Sequence, residues 1–215
     1  MLYWPLFWTS FWAEDWLFTA PAMPYNGAAT ILVSSASTKT TFCLTYLVQK
    51  HNQPAVTVIG LMLKRNLAFT KGLGLYAVVH TNDDVKQGFA AAGQGGMWVY
   101  VDIAGNEALN VHICKMLGSR MVWNVSLGVT NLSPAAERKY IMPTSGMTLA
   151  VSAGSNSTSG TPALEFFFMP EWLSEHCRAL AASGIFAMQL KAWMALMCDC
   201  TSWLASKGLW VAMER

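Results

Sequence analysis

The sequence predicts a doubly wound α/β domain, a mostly parallel sheet with helices on both faces. Three observations carry this. Short apolar runs rich in β-branched residues recur between residues 29 and 126, and segments with helical spacing separate them. The runs are also apolar throughout instead of alternating, as strands covered on both faces are. Such regular alternation of strand and helix is the pattern of βαβ units joined by crossovers.

The elements follow in chain order. Trp4, Trp8, Trp12 and Trp16 recur every four residues and Phe7 and Phe11 add a second row, so residues 1–20 form a helix with one aromatic face. Thr9, Ser10, Glu14 and Asp15 fall away from that stripe. Its polar side carries no Lys or Arg, as an interfacial membrane helix would, so it reads as a helix packed on this domain or a neighbouring one. Ala29–Ser34 is the first strand, Thr41–Lys50 a helix, and Ala55–Gly60 the second strand. Lys64–Leu73 is helical and stops at Gly72 or Gly74; Tyr76–His80 is the third strand. Thr81 or Asn82 caps a helix over Asp83–Ala92. Met97–Ile103 is the fourth strand, Asn106–Leu117 a helix and Met121–Ser126 the fifth strand. Residues 131–162 are Gly/Ser-rich and read as a long polar loop. Ala163–Met169 resumes as a sixth strand, Pro170 opens a helix, and Ser183–Ser206 is a long amphipathic helix. The expected organisation is thus an aromatic helix at 1–20, one domain over 21–205 and a tail at 206–215.

Composition excludes several classes. The chain of 215 residues is 53% hydrophobic and 12% charged, against roughly 25% charged in an average soluble domain. The apolar excess goes to a sheet covered on both faces or to a partner surface. A net charge of +2 with dispersed basic residues gives no nucleic-acid stripe. Glu14 and Asp15 interrupt the first apolar run, so neither a signal peptide nor a membrane span is expected. The five cysteines, Cys43, Cys114, Cys177, Cys198 and Cys200, contain no C-x-x-C pair. They read as reduced thiols of a cytoplasmic protein, with no metal site. N-x-S/T sequons at Asn124, Asn131 and Asn156 carry little weight without a secretory signal, and Asn124 lies in a predicted buried strand.

The chemistry concentrates in the turn after the first strand, Ser34 to Thr41. In a doubly wound sheet this turn is the usual phosphate site. It lacks the glycines of G-x-G-x-x-G and the frame of a Walker A loop. Its small residues still allow close backbone approach, and Ser35, Ser37, Thr38 and Thr40 supply hydroxyls at a helix N-terminus, with Lys39 adding charge. The alternative is a plain Ser/Thr N-cap. After the second strand, where an NAD site places an acid, the chain has Lys64 and Arg65. Two cations there suit the 2′-phosphate of NADPH; a solvated helix start is the alternative. Asp102 ends the fourth strand beside Ala104 and Gly105, either lining the cleft or capping the next helix. Tyr46 and Lys50 form Y-x-x-x-K, read as coincidence because of its place after the first strand. No catalytic acid, base or nucleophile can be nominated.

The stretches ILVSSASTKT, VTVIGL with Lys64 and Arg65, LGLY, WVYVDIAGNEAL and LEFFFMPEW resemble a domain-of-unknown-function family related to the quinone-oxidoreductase-like branch of the medium-chain dehydrogenases/reductases. The resemblance covers residues 15–205, and its most specific pieces are S-A-S-x-K-T and V-D-x-A-G-N. It implies an NADP-type Rossmann-like domain, with Ser35, Ser37, Lys39 and Thr40 near the phosphates and Lys64 and Arg65 near the adenosine end. Asp102, Ala104 and Gly105 would lie at the nicotinamide side. Complete relatives carry a GroES-like domain before this one, and here only the aromatic helix stands in its place, so the chain resembles the cofactor half of a reductase. Two functions follow: an NADPH-binding, reductase-like protein acting on a small carbonyl or enone, or a non-catalytic domain that forms a homo-oligomer or binds a partner through its aromatic helices.

Overall fold

A computed structural model describes residues 3–20, 25, 27–52, 56–85, 96–103, 105–127, 164–179 and 182–207. Six strands, all paired in parallel, form one sheet: β1 (Thr30–Val33), β2 (Thr57–Met62), β3 (Val78–Thr81), β4 (Trp98–Asp102), β5 (Met121–Ser126) and β6 (Leu164–Phe166). Their spatial order is β3-β2-β1-β4-β5-β6. Chain order reverses between β1 and β4, which lie side by side, and there the ends of the two strands splay their connections to opposite sides.

Alternation along the strands divides the core into two layers. Ile31, Val33, Val58, Val99, Val101 and Val125 face one layer, and Leu32, Ile59, Leu61, Trp98, Tyr100 and Met121 face the other. The first layer is covered by α1 (Tyr3–Thr19), α2 (Lys39–Asn52), α6 (Met169–Ala179) and α7 (Ala182–Lys207); the second by α4 (Asn82–Val85) and α5 (Glu107–Leu117). Helices on both faces and parallel pairing throughout make this a Rossmann-like α/β fold.

Local chemistry explains the element ends. Thr81 and Asp84 bond reciprocally, with the Asp84 N–H donating to Thr81 Oγ1 (3.1 Å) and the Thr81 N–H to Asp84 Oδ2 (2.8 Å). This is a capping box, and it selects Thr81 over Asn82 as the cap. α3 (Leu67–Leu73) stops at Gly74, whose φ of +67° is the left-handed geometry that glycine takes without penalty. β2 runs two residues beyond the expected Gly60, because Leu61 and Met62 are still buried. A single 3₁₀ turn at Lys64–Asn66 then precedes α3. The expected loop at 131–162 and most of the predicted helix after Asp84 lie outside the described residues.

The aromatic helix α1 belongs to the core. Phe7, Phe11, Trp12 and Trp16 are buried, and Trp193 of α7 meets Trp4 and Phe7 edge-on at centroid distances of 4.9 and 5.1 Å. Three of the polar residues off the aromatic stripe, Ser10, Glu14 and Asp15, also bond to neighbouring helices. Ser10 Oγ donates to the Thr40 carbonyl (2.9 Å), Glu14 pairs with His51 (3.3 Å), and Asp15 accepts from Trp172 Nε1 (2.9 Å). An interface built on the aromatic face of α1 is therefore replaced by packing inside the chain. Large apolar side chains exposed among the described residues gather on α7 instead: Phe186, Met188, Leu190, Met194 and Met197.

Candidate functional site

The turn between β1 and α2 is held from three sides. The Ala36 N–H donates to the Leu61 carbonyl (2.9 Å), the Tyr76 hydroxyl to the Ala36 carbonyl (2.8 Å), and the Thr38 N–H to the Ser35 carbonyl (2.9 Å). The turn crosses β2 closely at Gly60, where a Cβ would come within 2.7 Å of Ala36 Cβ. Ser35 has φ +51°, unusual for a residue with a Cβ. A tight left-handed turn is the task of the first glycine in the dinucleotide fingerprint; here a serine performs it.

Each predicted phosphate-turn residue has a place. Thr38 is the N-cap of α2: its Oγ1 accepts from the Thr41 N–H (3.4 Å), and the two hydroxyls are bonded at 2.8 Å. Lys39 and Thr40 open the helix and are half-buried. Their N–H groups belong to the first turn, which an α-helix leaves without intrahelical acceptors and which favours anions. Ser37 Oγ accepts from Asn66 Nδ2 (2.9 Å). That bond joins the turn after β1 to the 3₁₀ turn after β2, whose Lys64 and Arg65 are exposed.

Asp102 is arranged differently. Fully buried, it accepts from Ser34 Oγ (2.8 Å), the Gly105 N–H (3.2 Å) and Asn110 Nδ2 (2.6 Å). Asn110 Oδ1 in turn accepts from the Tyr100 hydroxyl (2.7 Å), and burial pushes that phenol well above its ordinary pKa, keeping it a donor. Ser34 Oγ also accepts from the Ile103 N–H (2.8 Å). The capping role is not the one observed: Asp102 ties the end of β1 to β4 and, through Asn110, to α5. Gly105, at φ +65°, brings its N–H to that carboxylate. Asn106, not Asp102, is the N-cap of α5, accepting from the Leu109 N–H (3.1 Å). Ala104 lies outside the described residues.

Ser34, Asn66 and Asn110 are the polar residues that sequence reasoning missed. Only Ser34 had a local signal, its position at the strand end; Asn66 and Asn110 gain meaning from partners that the fold brings near.

Burial pushes the Cys43 and Cys200 thiols up to about 12, so both stay protonated at neutral pH and are poor nucleophiles. Asn124 is buried in β5, so its sequon is not an accessible acceptor. Among the described residues no cluster of His, Cys, Asp and Glu could hold a metal, and no helix is long and apolar enough to cross a membrane.

The profile of the family described as "Protein of unknown function (DUF2855)" matches residues 1–212. The chain belongs to that family. No curated protein matches it. Among solved structures the chain is similar to one described as "Crystal structure of CurK enoyl reductase", with a TM-score of 0.50 and 12% identity. The match covers 88% of this chain and 49% of that one, so this chain spans about half the length of the structure it matches. At this identity the likeness is one of fold.

Proposed function

We propose that this DUF2855 protein is a cytoplasmic, NADPH-binding, reductase-like protein that corresponds to the cofactor half of a medium-chain reductase and acts on a small carbonyl or enone. The observation that carries this reading is the Asn66–Ser37 bond, which sets the cationic turn after β2 against the turn after β1 at the sheet's switch point. Two cations and a small-residue turn at a helix N-terminus fit a dinucleotide with an additional phosphate. Ser35, Ser37, Lys39 and Thr40 would hold the diphosphate, and Lys64 and Arg65 the 2′-phosphate. Thr38 would shape the turn through its cap. Asp102, with Ala104 and Gly105, would border the nicotinamide end, Asp102 by fixing the floor there. When bound, the cofactor supplies the hydride; the chain's part is to bind, orient and shield it.

Titration with NADPH and NADH, followed by thermal shift, tests this. NADPH is expected to bind in preference to NADH, and changing Lys64 and Arg65 together to Ala should weaken NADPH by about 10- to 100-fold, as loss of one or two charge-assisted contacts would. NADH should change little. Absence of binding by both at millimolar concentration would sink the reading.

The exposed apolar row on α7 favours a second reading, a non-catalytic domain that forms a homo-oligomer or binds a partner. Sedimentation of the purified chain decides it, with a monomer at all concentrations counting against self-association.

A further inference from the structure

The Y-x-x-x-K pair, set aside by its position in the sequence, forms part of a second polar cluster far from the switch point. Tyr46 and Lys50 lie one helical turn apart on α2. The Tyr46 hydroxyl and Lys50 Nζ both donate to Asp199 Oδ2 of α7, each at 2.8 Å. Beside them opens a cleft of about 240 Å³, mostly apolar, walled by Phe42, Leu73, Leu75 and Cys200. The Leu75 wall is fixed by Gln49 Nε2, which donates to the Leu75 carbonyl, and by the left-handed cap at Gly74. Two aromatic side chains of α2 and one carboxylate thus line a single small cleft.

We propose that this cleft is a binding site for a small organic ammonium, an arylalkyl amine whose ring enters between Phe42 and Leu75 and whose charged head pairs with Asp199. Charge and shape select that occupant. The hydrogen bonds from Lys50 and Tyr46 hold the Asp199 carboxyl below its ordinary pKa, so it is an anion at neutral pH. Burial and the bond to Asp199 push the Tyr46 phenol up, so it remains a donor to that carboxylate. Lys50 is the incumbent. Its pair with Asp199 is half exposed on both sides, 51% and 45%, and exposed pairs of this kind contribute little. An ammonium that also buries a ring in the cleft displaces it, while Tyr46 keeps its bond to the carboxylate.

The proposal is independent of the nucleotide reading, and ligand-observed NMR with 2-phenylethylammonium tests it in the full chain. Binding is expected near millimolar strength, with 2-phenylethanol and 3-phenylpropanoate at least about tenfold weaker. Asp199→Asn should remove the preference for the amine. Lys50→Met should tighten amine binding by about threefold or more, because it deletes the competitor and leaves the carboxylate; this variant keeps the test decisive if Asp199→Asn folds poorly. Equal binding of amine and alcohol, preference for the carboxylate probe, or an unchanged or weaker affinity in Lys50→Met would each overturn the assignment.

Discussion

The two turns that flank the switch point solve the same geometric problem with opposite chemistry. The turn after β1 is held by its backbone, through Ala36, Ser35 and the close approach to Gly60. Ser37 and Thr40 in this turn are half-buried. The turn after β4 is held by a side chain, the Asp102 carboxylate, which takes three donors and is buried entirely. One turn leaves its polar side chains half-buried, and the other commits its strongest polar group to the fold. Ser34 joins the two. The difference teaches that an acid at the end of a strand in such a sheet is as much a structural anchor as a ligand contact, and that only its burial and partners decide between them.

Asp102→Ala breaks the comparison most severely. It leaves the Ser34 hydroxyl, the Gly105 N–H and the Asn110 amide without their acceptor, and buried unsatisfied donors cost about 1–3 kcal/mol each before relaxation. With partial rescue by water, a loss of roughly 2–4 kcal/mol is expected in urea unfolding. A loss under about 0.5 kcal/mol, the range of an ordinary surface change, would mean that the carboxylate is not the anchor described.

Gly60→Ala attacks the other turn. The new Cβ meets Ala36 Cβ at 2.7 Å and the Tyr76 ring at 3.1 Å, so the turn must lift from β2. Overpacking of this kind costs about 1–3 kcal/mol. If NADPH binds as proposed, its affinity should fall along with stability, whereas Asp102→Ala acts on the phosphate turn only through Ser34. An unaltered melting temperature for Gly60→Ala would show that the turn tolerates displacement.

Ser35→Gly should act in the opposite direction. Relief of the left-handed strain at φ +51° amounts to about 1–2 kcal/mol, partly offset by the greater chain entropy of glycine when unfolded, about 0.5–1 kcal/mol. A net gain of about 0.5–1 kcal/mol is expected by urea unfolding, and destabilisation would contradict the backbone geometry assigned to Ser35.

How much of this was legible depended on the range of the interactions. The central strands were readable because a strand covered on both faces leaves a largely apolar run, and Met121–Ser126 agrees in both bounds. The turn after β1 was readable as a turn because strand, turn and helix are contiguous there. The role of Asp102 was not, since Ser34 Oγ reaches it across 68 positions. Tyr46 and Lys50 likewise meet Asp199 across 153 and 149 positions. Helical spacing showed that α1 has an aromatic face. It gave no sign that Ser10 and Glu14 would be buried too, because the covering came from α2.

The smallest expected effect falls on the bond that joins the turns after β1 and β2. Asn66→Ala removes the donor to Ser37 Oγ, a half-buried contact whose loss water largely repairs, so stability should drop by only about 0.5–1 kcal/mol. Binding is the more informative readout. If NADPH binds as proposed, loss of Asn66 frees the turn that carries Lys64 and Arg65 from the turn after β1, and NADPH should weaken more than NADH, by about threefold. If both nucleotides weaken equally, the bond merely stiffens the turn after β1. If neither does, the cationic turn and the phosphate turn do not act as one site, and the contrast drawn between the two sides of the switch point narrows to how each is folded.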